Sequence, residues 1–389
     1  MRFSPLVARI AGEAAEAWDL HYKAAAAAEV DDSVIVLSVG DTDLDTPAPI
    51  TERLINSIQA GRTHYANTLG ETNLRRAVAE YYQIKGFKHI TYKNIAVMPG
   101  AQSGLFAAAQ CLLSSGDEVI IPEPMYVTYP GFVRATGASI VPVSTKADGC
   151  FRLDAADIAK AITSDTRAVI VTSPNNPTGE VIDRQTFAAI ARLCQDHDLW
   201  LISDEVYLEL YYEHAPTSAL TYEEIKDRVV VVSSLSKSHA MTGWRLGWIV
   251  GSEALINHLY NLLSAMLYGA PMFIQDAALA AFENPEIASN MRTIFKKRRD
   301  SFCSQLERLP LINCLRPEGG MFVMLDVRQT GLGGNEFARE FFEAEKVSLL
   351  SADAFGESAK GFLRVGLTLE EDKLTEVARR LERFLKEFV

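Results

Sequence analysis

Between residues 100 and 250 the chain alternates short apolar runs with stretches whose apolar side chains return every three or four positions. The runs EVIIP (118–122), RAVIVTSP (167–174), LWLISDEV (199–206), VVVVSSLS (229–236) and RLGWIVG (245–251) are apolar at consecutive positions and rich in β-branched residues. A strand takes that composition when both its faces are covered, so the pattern predicts a mostly parallel central sheet with helices on either side. Residues 101–115 and 186–197 carry the helical period that supplies such cover. After about residue 285 a long amphipathic stretch, IASNMRTIFKKRRDSFCSQLERL, leads into MFVMLDV, a helical pattern near 335–345, GFLRVGL and a terminal helix. That order predicts a smaller α+β domain joined by the first forty-odd residues, with a large domain at 47–286 and the small one at 1–46 with 287–389. At 389 residues, a division into two such units is expected.

Composition narrows the classes. The hydrophobic fraction of 48% and charged fraction of 23% suit a globular enzyme, and no apolar run nears the roughly 20 residues that cross a bilayer. A formal net charge of −12 argues against nucleic acid as a partner. The basic cluster FKKRRD (295–300) reads as a solvated helix face. Five cysteines, Cys111, Cys150, Cys194, Cys303 and Cys314, are widely spaced without a CxxC, which speaks against disulfides and a metal site. The N-terminal segment shows no secretory pattern, and a cytoplasmic location is expected.

In parallel sheets, ligands bind beyond the carboxyl ends of the strands, and three such ends carry polar residues that a sheet alone does not need. VTSPNNPTG (171–179) leaves its strand through prolines, asparagines and a glycine; ISDEVY (202–207) ends in two carboxylates and a tyrosine; SSLSK (233–237) ends in a lysine. Singly these read as turn chemistry, a helix N-terminal acid pair and a surface lysine. Together, with Arg245 eight residues beyond Lys237, they supply an amine for an aldehyde, a carboxylate for a pyridine nitrogen, donors for a phenolate oxygen and an anion seat. Those are the requirements of pyridoxal 5′-phosphate.

On these motifs, ordered over nearly its whole length, the chain resembles the pyridoxal-phosphate-dependent aminotransferases of fold type I, class I. The resemblance implies that Lys237 carries the cofactor's aldehyde, Asp204 pairs with its ring nitrogen, and Tyr207 and Asn176 hold its phenolate oxygen. Tyr126, in EPMYVTY, matches the aromatic that stacks on the ring. Phosphate would sit on Ala101 and Gln102 at a helix start, with Ser234, Ser236 and Arg245. Tyr65 matches a tyrosine reaching the phosphate from a partner subunit, which implies a homodimer with shared sites. Arg364 would take the substrate α-carboxylate, beside Gly40 where backbone passes close.

The implied reaction is transamination by a ping-pong mechanism. Lys237 moves the proton between Cα and the cofactor, with Asp204 and Tyr207 as the other catalytic residues. Through AWDLHY, EPMYVTY, SKSHAMTGWR and MLYGAPMFIQDAA the resemblance is closest to bacterial arginine–pyruvate transaminases. It implies L-arginine as donor and pyruvate as acceptor, with Trp18 and Tyr268 at the substrate. Acids near the entrance, Glu13, Glu16, Asp19, Asp41 and Asp43, are candidates for meeting a guanidinium. Other readings are an aspartate, aromatic or kynurenine aminotransferase, a carbon–sulfur β-lyase, an arginine oxidase, or a sensor domain with the same scaffold.

Overall fold

The computed structural model describes residues 3–10, 15–146 and 151–388, with only the backbone of 15–17. Glu13 and Cys150 lie outside the described residues, as does the side chain of Glu16. In chain order the strands begin with β1 (Ile35–Val36). The large sheet follows: β2 (Ile95–Met98), β3 (Glu118–Glu123), β4 (Ser139–Ser144), β5 (Thr166–Thr172), β6 (Trp200–Asp204), β7 (Val229–Ser234) and β8 (Gly247–Val250). Then come β9 (Asn313–Leu315), β10 (Phe322–Asp326), β11 (Val347–Ser348), β12 (Leu350–Ser351) and β13 (Phe362–Gly366).

The large sheet runs in the order β2-β8-β7-β6-β5-β3-β4, parallel except for β8, which lies antiparallel to both β2 and β7. Alternate residues of its central strands face two cores. Val169, Val171, Leu201, Val229 and Val231 pack on one side, and Ala168, Ile170, Ile202, Val230 and Val232 on the other. That double burial is why these strands carry unbroken apolar runs. The strands β2 and β4 were not singled out by the apolar pattern, and β4, at the sheet edge, is only partly buried.

A smaller antiparallel sheet, β12-β13-β10-β9, packs with the helices Glu286–Leu306 and Glu371–Leu385 around Phe295, Phe302, Phe337 and Phe341. The start of the chain joins this unit, since β1 pairs in parallel with β11. Among the described residues no helix is long and apolar enough to cross a membrane.

The expectation of a solvated FKKRRD face is corrected. Lys297 is exposed and Lys296 half-buried, whereas Arg298 and Arg299 are 4% and 2% exposed. Arg298 forks onto Asp43 at 2.8 and 2.9 Å, and Arg299 onto Glu213 at 2.9 and 2.8 Å. Arg299 also pairs with its neighbour Asp300, but Asp43 and Glu213 are more than eighty residues away in sequence, so charge counting could not find them.

Candidate active site

Sheet register assembles the site. Thr172 on β5 is the pairing partner of Asp204 on β6, which in turn pairs with Val232 on β7. Three strand ends thus open side by side. Further across, Ser234 of β7 faces Gly247 of β8, which faces Met98 of β2. The helix Ala101–Leu112 begins just after Met98, so its first N–H groups lie beside Ser234 and the turn that carries Arg245. A side chain at Gly100, whose φ is +82°, would collide with the Arg245 guanidinium; one at Gly247 would come within 2.8 Å of the Ala101 nitrogen. Glycine is needed at both places so that a cation and a helix N-terminus can share one concavity.

These elements surround a cavity of about 270 Å³. Its lining includes Trp18, Gly40, Ala101, Gln102, Tyr126, Asn176, Asp204, Tyr207, Ser234, Ser236, Lys237, Arg245 and Arg364, which are the sequence candidates apart from two. Tyr65 and Tyr268 are not on it. They pack edge to face on each other at 5.0 Å and are 82% and 59% exposed. The small sheet contributes Phe322 and Arg364, and the guanidinium lies over the Phe322 ring at 4.0 Å. A Cβ at Gly40 would meet that same ring at 2.6 Å, so here the aromatic under Arg364 is what demands glycine.

The charges at the centre are shifted by burial. Lys237 donates to the Gly40 carbonyl at 2.6 Å. Desolvation pushes its amine down to about 8, with Asp41 opposing and Arg364 and Arg245 adding to the depression. Desolvation also raises Asp204 to about 6, against a bond from the Tyr129 hydroxyl at 2.7 Å and another from the Val206 N–H at 3.3 Å. Arg364 donates to Asn176 at 3.0 Å and to the Ser38 carbonyl at 2.7 Å. Burial lowers it to about 10, and its buried Nε has no partner among the described residues. The Asn176 amide in turn donates to the Tyr207 hydroxyl at 3.4 Å, tying Arg364 to Tyr207 through one side chain. An amine, a carboxylate, an anion seat and a forked cation therefore meet within one cavity.

Residues 32–381 match the family model described as aminotransferase class I and II. The chain belongs to that family. Among curated relatives, the aminotransferase is 47% identical to arginine–pyruvate transaminase AruH of Pseudomonas aeruginosa over 98% of this chain and 97% of that protein. It is 32% identical to the aspartate aminotransferase of Bacillus subtilis over 91% of each. Among solved structures, aspartate aminotransferase from Thermotoga maritima superposes with a TM-score of 0.93 at 31% identity, covering 99% of this chain and all of that one.

Class I and II aminotransferases act on amino acids and 2-oxo acids with pyridoxal 5′-phosphate as cofactor. The residues of this aminotransferase fit that group on three observations. The Gly100 concavity brings helix N–H groups and the Arg245 guanidinium together. A desolvated lysine and a desolvated carboxylate share the cavity. A buried guanidinium keeps one donor free.

Among the lining residues that escaped the sequence reading are Tyr129, Thr172, Thr242 and Phe322. Tyr129 stands three places after Tyr126, at the first turn of the helix Tyr129–Thr136, and its hydroxyl contacts Thr172 at 2.5 Å as well as Asp204. A second tyrosine in EPMYVTY was the available signal. Phe322 had none, because its place beneath Arg364 depends on the β10–β13 register. Of the acids near the entrance, Asp43 is engaged by Arg298 and only Asp41 reaches the lining among the described residues.

Proposed function

We propose that the chain is an L-arginine transaminase using pyruvate as acceptor, working as a homodimer. The observation carrying the transaminase chemistry is the meeting of Lys237, Asp204, the Gly100–Arg245 concavity and Arg364 in one cavity. The 47% identity to an arginine–pyruvate transaminase supports the donor and the acceptor. When bound, pyridoxal phosphate supplies an aldehyde for the donor's amine and a protonated ring that draws off the electron pair left at Cα.

In this reading Lys237 holds the cofactor and then moves the proton at the donor's Cα. Its amine, held down to about 8 by burial, is neutral in a usable fraction near neutral pH, as a general base requires. Asp204 faces the ring nitrogen, and Tyr129 steadies that carboxylate. Tyr207 and Asn176 donate to the phenolate oxygen, and Tyr126 covers the ring. The first N–H groups of the helix at Ala101 and Gln102, the hydroxyls of Ser234 and Ser236 and the Arg245 fork take the phosphate. Arg364 takes the α-carboxylate beside Gly40 and Asn176, and Trp18 closes the wall next to them.

Tyr65 and Tyr268 fall outside their own chain's cavity, which supports a role across the dimer, with Tyr65 on the partner's phosphate and Tyr268 on its substrate. The division into 47–286 and 1–46 with 287–389 belongs to the same reading, since Phe322 and Arg364 meet the strand ends of the large sheet. A cytoplasmic enzyme agrees with the unpaired Cys111, Cys194, Cys303 and Cys314.

The test is a donor panel of L-arginine, L-lysine, L-aspartate, L-kynurenine and L-phenylalanine against pyruvate and 2-oxoglutarate. L-arginine with pyruvate should give the highest kcat/KM. A preference for aspartate or an aromatic donor removes the arginine assignment and leaves the transaminase chemistry standing.

A further inference from the structure

We infer that Asp41, aimed by Thr242, is the side chain that selects a donor with a cationic side chain. This rests on the L-arginine reading above and assigns its selectivity to one carboxylate.

Among the described residues, the charged side chains on the cavity lining are Lys237, Arg245, Arg364, Asp204 and Asp41. The first three have anionic or covalent partners in the transamination chemistry, and Asp204 is buried at the floor under Tyr129. That leaves Asp41 as the charge facing whatever extends from the donor's Cα. It is well placed for that. Its neighbour Gly40 accepts from the Lys237 amine at 2.6 Å, so Asp41 stands one residue from the reacting centre. The Thr242 hydroxyl donates to its Oδ1 at 2.6 Å, while Oδ2 has no hydrogen-bond partner among the described residues.

Beyond this pair lies a second, more open cavity of about 500 Å³ that shares Asp41 and Thr242 with the first. Its walls combine Leu44, Leu54, Trp244, Phe273 and Ile274 with Thr42, Thr46 and a second carboxylate, Asp45, and among the described residues no lysine or arginine lines it. The apolar part of that wall suits a chain of methylenes, and Asp41, the carboxylate shared by both cavities, suits the guanidinium that follows. The same charge repels the side-chain carboxylate of aspartate or glutamate, and among the described residues neither lining holds a cation beyond Lys237, Arg245 and Arg364 to meet it. Thr242 sits within the SHAMTGW segment that follows Lys237, so that segment is linked to the donor through its hydroxyl.

The experiment compares L-arginine with L-citrulline, its uncharged isostere, on the holoenzyme. Asp41→Asn should lower the ratio of kcat/KM for arginine over citrulline by roughly 10- to 100-fold, the range for losing a hydrogen bond to a charged group. Thr242→Val, which keeps the carboxylate but frees it to turn, should lower the ratio less. Because both donors see the same change at Lys237, that change cancels in the ratio. Calorimetric titration with 5-guanidinopentanoate, which lacks the reacting amine, should show weaker binding to Asp41→Asn. A ratio within about twofold of the wild type, or equal binding of 5-guanidinopentanoate, overturns the role of Asp41. If the wild-type enzyme itself fails to favour arginine over citrulline, the arginine reading falls and this inference falls with it.

Discussion

The inner and outer halves of the cavity are built by different means. The inner half, around Asp204, Ser234, Lys237 and Arg245, hangs from the ends of β6, β7 and β8, and backbone register fixes where each residue emerges. The outer half, from Gly40 to Thr46, is a loop positioned by side chains. Arg298 grips Asp43, Thr242 grips Asp41, and Thr46 accepts from the Trp244 indole at 2.9 Å while donating to the Ala240 carbonyl at 2.5 Å. A sheet end tolerates chemistry because dozens of other bonds hold its backbone. A loop keeps its shape only through the few bonds made to it, and those are also where relatives can diverge.

The contrast can be broken at either half. Lys237→Ala should cost at least about 10³-fold in kcat for any donor, because one positioned proton transfer alone is worth about 10²- to 10⁴-fold, with little change in the far-UV circular dichroism. A residual rate near the wild type removes the lysine from the chemistry. In the outer half, Asp43→Asn leaves the buried Arg298 without its counter-charge. It should destabilise the protein by about 3 kcal/mol in urea denaturation and raise the donor KM as the loop loosens. Equal stability and KM would mean that the loop needs no such anchor.

A buried acid next to the inner half gives a pH test. Burial raises Glu205 from 4.5 to about 7, although its Oε1 accepts from the Ala219 N–H and the Ser218 and Ser203 hydroxyls. A carboxyl that binds its proton more tightly when folded stabilises the protein at low pH. That contribution is complete below about 4.5 and is lost as pH rises through about 7. Glu205→Gln should therefore flatten the decline in urea stability between those values, by up to about 3 kcal/mol. An unchanged slope shows the carboxyl to be ionised throughout. The smallest effect belongs to Tyr129→Phe. Losing the hydroxyl's bond raises Asp204 further, so kcat should fall by roughly tenfold and the acid limb of the pH–rate profile should move upward. A fall without movement of that limb would make Tyr129 a packing residue only.

The apolar runs at EVIIP, RAVIVT, LWLISD and VVVVSS made the sheet legible, because a strand buried on both faces has no polar positions to blur it. The edge strand β4 was not, since its partial burial removes that signal. Lys237 and Asp204 stand out as polar residues at strand ends and Arg364 follows from the family resemblance, and the fold brings all three to one cavity. Arg298 and Arg299 could not be placed, because a helix's charged positions look alike until partners from distant segments are known.

By itself, then, the sequence determined the class of sheet and which polar residues stand at its strand ends, both consequences of local composition and residue type. Only the tertiary structure decided which acid near the entrance meets the cavity. Asp41 and Asp43 are two positions apart and chemically identical, yet one is held by Thr242 at the lining and the other is consumed by Arg298. Their fates depend on partners some two hundred residues further along, and no local pattern carries that information.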